Sequence, residues 1–257
     1  MICKICGGGG RTLFNATILK KYPANYNICA NCGFLSVENP TWLPEAYKNT
    51  INIEDTGILQ RNIWLSEKAA TIIALFFEKK SKFLDFAGGY GLFTRLMRDK
   101  GFDFYWHDPY TSNFFARGFE FNPAEKVELL TTFESFEHFL DPVHEMDAML
   151  DVSRNILFTT TLLPDQVPPP GKWWYYGLEH GQHISFYTER SLHALSNKYH
   201  LNFYTNGHDL HLFTDKMVNP LLFWASTKLR GRFVQRLACR GLNPRTMADM
   251  EYVSRAR

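Results

Sequence analysis

Hydrophobic and polar positions change character near residue 60. Over residues 61–80, Leu65, Ala69, Ile72, Ile73 and Phe76 recur at near-helical spacing, and Glu78-Lys79-Lys80 closes the segment in solvent, which predicts an amphipathic helix. Lys82-Phe83-Leu84-Asp85-Phe86 then reads as a short apolar strand. It runs through Ala87-Gly88-Gly89-Tyr90-Gly91 into a helix that carries Leu92, Phe93, Leu96 and Met97 on one face and stops at Gly101. Phe102–Trp106 follows as a second strand. Such a strand–helix–strand unit implies a mostly parallel, doubly wound sheet. Further strands are expected at Val127–Thr132, Asn155–Thr161 and Leu201–Tyr204, and a helix at Glu189–Lys198. Residues 1–40 have only short apolar runs among Cys, Gly, Asn and Pro, as a loop-built module does, and Pro40 and Pro44 punctuate the exit from it. The expected organisation is a module at 1–40, a linker at 41–60, an α/β domain at 61–227 and a basic tail at 228–257.

Composition narrows the class. Hydrophobic residues make up 45% and charged residues 21% of the 257 residues, a globular balance. The 16% aromatic share needs cores or stacking surfaces to sit in. A net charge of +2 is too small to imply nucleic acid as an obligate partner. From Lys228 to Arg257 eight Lys/Arg stand against Asp249 and Glu251, which reads as a solvated helical tail. No basic-then-apolar leader opens the sequence, and no run approaches the roughly 20 apolar residues of a membrane span. A cytoplasmic protein is expected.

Four of the five cysteines form two knuckles, Cys3-x-x-Cys6 and Cys29-x-x-Cys32, separated by 22 residues. Each knuckle sets two thiolates on one side of a tight turn, and Gly7 and Gly33 follow where the backbone must curl. Two such turns complete a tetrahedral sulfur site for Zn2+. Four thiolates saturate the ion, so the expected site is structural. Cys239 is an ordinary thiol.

The segment from Leu84 to Gly91 joins strand to helix through residues with little side chain, so a ligand can approach the backbone and the helix N–H groups. Asp108 stands seventeen residues beyond Gly91, at the end of the next strand, where a carboxylate can accept hydrogen bonds from ribose hydroxyls. Glycine turn and acid together describe a nucleoside site. A dinucleotide fingerprint fits poorly, because Thr94 stands at its third small position and Asp85 lies inside the strand.

The pattern instead resembles motif I of class I S-adenosylmethionine-dependent methyltransferases. That resemblance implies a Rossmann-like, mostly parallel seven-stranded sheet preceded here by a zinc-ribbon-like module. It implies S-adenosyl-L-methionine as cofactor, with Asp85, Ala87, Gly89 and Gly91 at the turn and Asp108 on the ribose. Ala87 stands where the family usually has its first glycine, a change tolerable with a negative φ. Thr132-Phe133-Glu134-Ser135-Phe136-Glu137-His138-Phe139-Leu140-Asp141-Pro142 resembles the fourth-strand segment of one subgroup, and His183-Ile184-Ser185-Phe186-Tyr187 its later His-apolar-x-aromatic segment. Members of that subgroup often lie in pathways that decorate bacterial surface sugars and natural-product sugars, and some carry an N-terminal four-cysteine zinc module. Glu134 then lies beside the cofactor, while Glu137-His138 reads as a helix cap that braces the sheet edge.

Methyl transfer to a hydroxyl calls for a base, and His suits neutral pH. Tyr175-Tyr176-Gly177-Leu178-Glu179-His180-Gly181-Gln182-His183 packs two histidines and a glutamate into five positions. His183 is expected as base, His180 as second choice and Glu179 as the orienting acid. In the family segment a glutamate precedes the histidine; here Gln182 replaces it. Trp173, Trp174, Tyr175 and Tyr176 follow a polyproline insert and are expected to stack on the acceptor. The resulting expectation is O-methylation of a sugar or sugar-linked acceptor in bacterial glycan biosynthesis. C-methylation of a nucleotide-keto-sugar, RNA methylation and a non-catalytic zinc-bearing interaction protein stand as alternatives.

Overall fold

The computed structural model describes residues 1–48, 51–52 and 55–255. Parts of the expected 41–60 linker, and Arg257 of the basic tail, lie outside the described residues. In chain order the elements are β1 (Gly10–Ile18), β2 (Tyr22–Cys29), β3 (Leu35–Val37), α1 (Leu43–Ala46), α2 (Ile58–Phe76), β4 (Lys82–Phe86), α3 (Leu92–Asp99), β5 (Asp103–His107) and β6 (Leu129–Thr132). There follow α4 (Pro142–Leu150), β7 (Ile156–Thr159), β8 (Ser185–Phe186), α5 (Glu189–Lys198), β9 (Asn202–Thr205), β10 (Leu210–Thr214), α6 (Pro220–Ser226), α7 (Arg232–Ala238) and α8 (Thr246–Arg255). No helix among the described residues is long and apolar enough to cross a membrane.

Two sheets form: β1-β2-β3-β8, and a mixed sheet of six strands in the order β5-β4-β6-β7-β10-β9. The expected seventh strand is reduced to a single parallel bridge between Trp106 and Glu120. Trp106 N–H donates to Phe119 O and Phe121 N–H to Trp106 O, both at 2.8 Å. Gly118 and Pro123 bracket this stretch and leave too few residues to extend the ladder.

The chain divides into two compact units that are discontinuous in sequence and do not follow the expected boundaries. The first gathers residues 1–53, 134–148 and 158–215. Its cysteine segment is built into it and is no appendage. β3 pairs with β8 through Leu35↔Phe186 and Ser36↔Ser185, and Thr188, the N-cap of α5, donates its hydroxyl to Cys32 O at 2.6 Å. An aromatic core fills the unit, with Tyr26, Trp42, Tyr175, Tyr176 and Phe186 all buried. The β1–β2 hairpin turns at Leu19 and Lys20, both with positive φ, and Lys21 N–H closes it on Ile18 O at 2.9 Å.

The second unit gathers residues 54–133, 149–157 and 216–257. Its centre is three parallel strands, β5-β4-β6, registered by Lys82↔Asp103 and Phe83↔Leu129. The C-terminal segment is not simply a solvated tail, because α8 contributes a buried charge. Asp249 takes both Nε and Nη2 of Arg98, at 2.8 and 2.7 Å. The same guanidinium donates through Nη1 to Asp103 and to Phe104 O, both at 2.8 Å. It also lies 3.6 Å from the centroid of the Phe119 ring. An arginine withdrawn from water needs all of these partners. Asp249→Ala is therefore expected to destabilise the protein by about 3 kcal/mol in urea denaturation; an unchanged midpoint would mean that α8 does not hold this charge.

Candidate functional site

In the second unit β4 delivers the chain into the turn at residues 87–91, and Gly91, with φ +82°, caps α3. Three of these five positions lie in the left-handed region: Ala87 at +55°, Gly89 at +53° and Gly91 at +82°. Ala87 thus departs from the negative φ expected for it, and its Cβ meets the steric cost that glycine avoids. Gly88 has no room for a side chain, since a Cβ there would lie 2.7 Å from Asp85 Oδ2 and 2.8 Å from Trp106 Cδ1. Gly89 is the opposite case: a Cβ there would meet nothing within 4 Å. That open face is where a ligand can come against the main chain.

The Gly89 peptide is fixed on both sides. Its N–H donates to Asp108 Oδ2 at 3.0 Å. Its carbonyl accepts from Trp106 Nε1 at 2.9 Å and from the Thr111 hydroxyl at 2.7 Å. Asp108 Oδ1 accepts from the N–H groups of Tyr110 and Thr111, at 2.8 and 3.0 Å. Of the roughly four lone-pair positions of a carboxylate, three are in use, which leaves one on Oδ2 for a ligand hydroxyl. Sequence reasoning found Asp108, Gly89 and Gly91 but missed Trp106 and Thr111, whose roles depend on where the folded chain returns.

Asp85 does not face a ligand. It is buried beneath the turn, accepts the Thr94 hydroxyl at 2.9 Å and lies 3.4 Å from the Thr131 hydroxyl. The two residues that spoil the dinucleotide fingerprint, Asp85 and Thr94, thus account for each other. Burial raises the Asp85 pKa to about 7, and the negative charge of Asp108 adds to the rise.

In the first unit Glu134, with φ +54°, sits just after β6. Its N–H donates to the Thr159 hydroxyl, which donates in turn to Glu134 Oε1, both at 2.8 Å. The four knuckle sulfurs lie within 4.8 Å of one another, with Cys3–Cys32 at 3.7 Å and Cys6–Cys29 at 3.5 Å. A tetrahedral Zn2+ with bonds of about 2.3 Å sets its sulfurs about 3.8 Å apart, so this donor set fits the ion. Gly7 and Gly33 close the knuckles on Cys3 O and Cys29 O at 2.9 and 3.1 Å. Backbone N–H groups of Ile5 and Cys6 face the Cys3 sulfur, and that of Phe34 faces Cys32.

The acceptor-side residues separate. Tyr175 and Tyr176 belong to the aromatic core, and Trp173 packs against it. Rings held in this way offer no stacking face, because the core of this unit requires them. Of the expected aromatic run Trp174, 77% exposed, meets solvent most fully, and Trp173 is half-buried. Glu179 is exposed. His183 joins a different pair, Glu137 and His138: one potential ligand atom from each lies within 4.8 Å of the others. His183 Nδ1 contacts Tyr175 O at 2.6 Å. A carbonyl only accepts, so Nδ1 carries the proton and Nε2 keeps its lone pair. In His180 the order is reversed, because Gln182 N–H donates to Nδ1 at 3.2 Å.

The model of a family described as the methyltransferase domain matches residues 61–205, more than half of the chain. The chain belongs to that family. Residues 61–205 form its methyltransferase domain. No curated protein matches it. Among solved structures it is similar to human N-acetylserotonin methyltransferase in complex with SAM (14% identity, 69% of this chain and 66% of that chain, TM-score 0.42). It is also similar to OxaC in complex with sinefungin and meleagrin (16%, 52% and 43%, 0.40). A third likeness is to the plantazolicin methyltransferase BpumL in complex with a monoazolic desmethylPZN analog and SAH (12%, 78% and 88%, 0.48). This methyltransferase spans between 43 and 66% of the length of the first two of these.

Two predictions follow from the turn. Ala87→Gly is expected to raise stability by about 0.5–1 kcal/mol in chemical denaturation, since relief at positive φ outweighs the added freedom of the unfolded chain; a loss of stability would refute the strain. Asp85 has a higher pKa folded than unfolded, so between pH 3.8 and about 7 the folded state holds a proton that the unfolded state has released. Stability therefore falls as pH rises through that window and levels off above it. Asp85→Asn is expected to flatten this slope and to be the more stable protein at pH 8, read from urea midpoints at pH 5 and pH 8.

Proposed function

We propose that this methyltransferase moves the methyl group of S-adenosyl-L-methionine to a hydroxyl of a sugar or sugar-linked acceptor in bacterial glycan biosynthesis. The observation that carries the cofactor half is the latched Gly89 peptide, open on the face away from its hydrogen bonds and joined to Asp108. Backbone fixed in this way lets the nucleoside lie close without reorganising the turn. The remaining Oδ2 position of Asp108 takes a ribose hydroxyl. Gly91 and the first N–H groups of α3 supply a favourable dipole for the carboxylate of the methionyl portion.

The acceptor half rests on the sequence resemblance of residues 132–142 and 183–187 and on His183. In the transfer the bond from methyl carbon to sulfur breaks, and its electron pair stays on sulfur as the neutral thioether. The acceptor oxygen bonds to the carbon and gives up its proton. His183 is the group that engages this hydroxyl, since its Nε2 lone pair is uncommitted to a proton; Trp174 offers an exposed ring for sugar stacking. The four cysteines hold a structural Zn2+ that fixes the two knuckles of the first unit.

Asp108→Ala is expected to weaken S-adenosylmethionine binding by about tenfold or more in isothermal calorimetry, because it removes the ribose partner and the Gly89 latch together. Unchanged affinity would show that the ribose lies elsewhere. No heat at all from folded, zinc-loaded wild-type protein would remove the cofactor from the reading.

A further inference from the structure

The first unit carries a second cluster of metal-capable side chains, Glu137, His138 and His183, with one donor atom of each within 4.8 Å of the other two. Its geometry is that of a prepared site. His183 Nδ1–H donates to Tyr175 O at 2.6 Å. His138 Nδ1 faces Gln182 O at 3.1 Å and the Tyr47 hydroxyl at 2.9 Å. The carbonyl has no proton to give, so the tautomer that satisfies it carries the proton on Nδ1, with the Tyr47 hydroxyl accepting beside it, and leaves Nε2 bare. A ring N–H tied to a main-chain carbonyl is the arrangement that orients a histidine as a ligand. The supporting carbonyls are themselves held. Gln182 Nε2 donates to Ala46 O at 2.9 Å, and Ile184 N–H donates to Glu137 O at 2.8 Å, which joins the two segments that bear the ligands.

The third nearby ring shows how selective this is. His180 stands 4.8 Å from His183 by ring centroids, yet it receives an N–H on Nδ1 and so carries its proton on Nε2. Neither nitrogen has a lone pair to give. Glu137 is fully buried, whereas His138 and His183 keep partial access to solvent, so the cluster is closed behind the carboxylate and reachable from the histidine side.

We infer that Glu137, His138 and His183 form a divalent-cation site, distinct from the cysteine site, that leaves coordination positions open for oxygen ligands. Two imidazole nitrogens and one carboxylate oxygen suit Zn2+, Mn2+, Fe2+ or Co2+ in preference to Ca2+ or Mg2+. Three protein ligands leave the ion unsaturated, as in sites that act on a bound water or hydroxyl. This rests on the proposed transfer and moves the role of His183 there: its Nε2 lone pair goes to the ion, and the acceptor hydroxyl, bound at an open coordination position, loses its proton to solvent more readily and presents an alkoxide to the methyl group. No electron changes hands.

The test uses the full chain and Co2+ as the probe. Cobalt at the cysteine site gives an intense thiolate-to-metal charge-transfer band, and cobalt at a nitrogen and oxygen site gives only weak visible bands. Protein whose cysteine site is already filled with zinc is expected to bind one further cobalt ion without the thiolate band. Glu137→Gln and, separately, His183→Asn are each expected to weaken that second ion by about tenfold or more while the zinc content stays at one per chain. His180→Asn is expected to leave it unchanged. A single ion per chain in the wild type, or a second ion that binds both variants as well as the wild type, would overturn the site. If Glu137→Gln does not fold, His183→Asn alone decides. Binding of S-adenosylmethionine, measured separately, keeps the two readings apart: cofactor binding without a second ion removes only this inference, and a second ion without cofactor binding removes only the proposed transfer.

Discussion

The turn at residues 87–91 depends on a carboxyl group that cannot reach water. Asp85 sits under residues 87–91 and ties β4 to α3 through the Thr94 hydroxyl, with the Thr131 hydroxyl of β6 beside it. It also sets the size of what lies above, since Gly88 would drive any side chain into Asp85 Oδ2. A charged carboxylate at this place faces both desolvation and the charge of Asp108, which together raise its pKa to about 7. The two acids divide the labour: Asp85, protonated with ease, shapes the turn from below, and Asp108, partly exposed, latches its N–H from the side.

That division explains how the turn accommodates alanine at position 87. The positive φ of Ala87 is imposed by neighbours on both sides. β4 fixes its entry through the parallel register of Asp85↔Trp106 and Phe86↔His107, and Gly88 N–H fixes its exit on His107 O at 3.2 Å. Backbone strain of about 1 kcal/mol persists only where the surroundings over-determine it. Here the constraint comes from the sheet, so the open face of Gly89 is kept although a more permissive residue is missing beside it.

The expected strand at Lys82–Phe86, in the second unit, and the helix at Glu189–Lys198, in the first, have the observed bounds, because a short apolar run and a Thr188 cap are local signals. The β1–β2 hairpin was not legible. Its two turn positions with positive φ are Leu19 and Lys20, where Asn or Gly would have announced them. Its strands alternate only loosely between buried and exposed positions. Within the aromatic run at 173–176 the burial of Tyr175 and Tyr176 was not legible either: a polyproline insert suggested surface, yet the core around Tyr26 and Phe186 draws these two inward. Asp108 was readable from spacing, whereas Trp106 and Thr111 act through side chains that only the folded turn brings to Gly89. The approach of His183 to Glu137 and His138 joins segments more than forty residues apart, and no sequence period marks it.

The two metal-capable clusters of the first unit obey opposite chemical logic. The cysteine cluster uses soft thiolates, its N–H groups point at sulfur, and four ligands close the coordination sphere; this suits an ion that holds a fold and does nothing else. The second cluster uses imidazole and carboxylate, and the carbonyl contacts of its two histidine rings fix which nitrogen donates. Tyr175 is where the two roles of the unit meet. Its ring is part of the buried core and its hydroxyl contacts Thr160 Oγ1 and accepts from Thr161 N–H, at 3.2 and 3.0 Å. Its carbonyl receives the His183 Nδ1 proton. Packing that immobilises the ring therefore also sets the tautomer of the histidine. Within the expected aromatic run it is Tyr175 whose carbonyl decides which nitrogen of His183 is left with a lone pair.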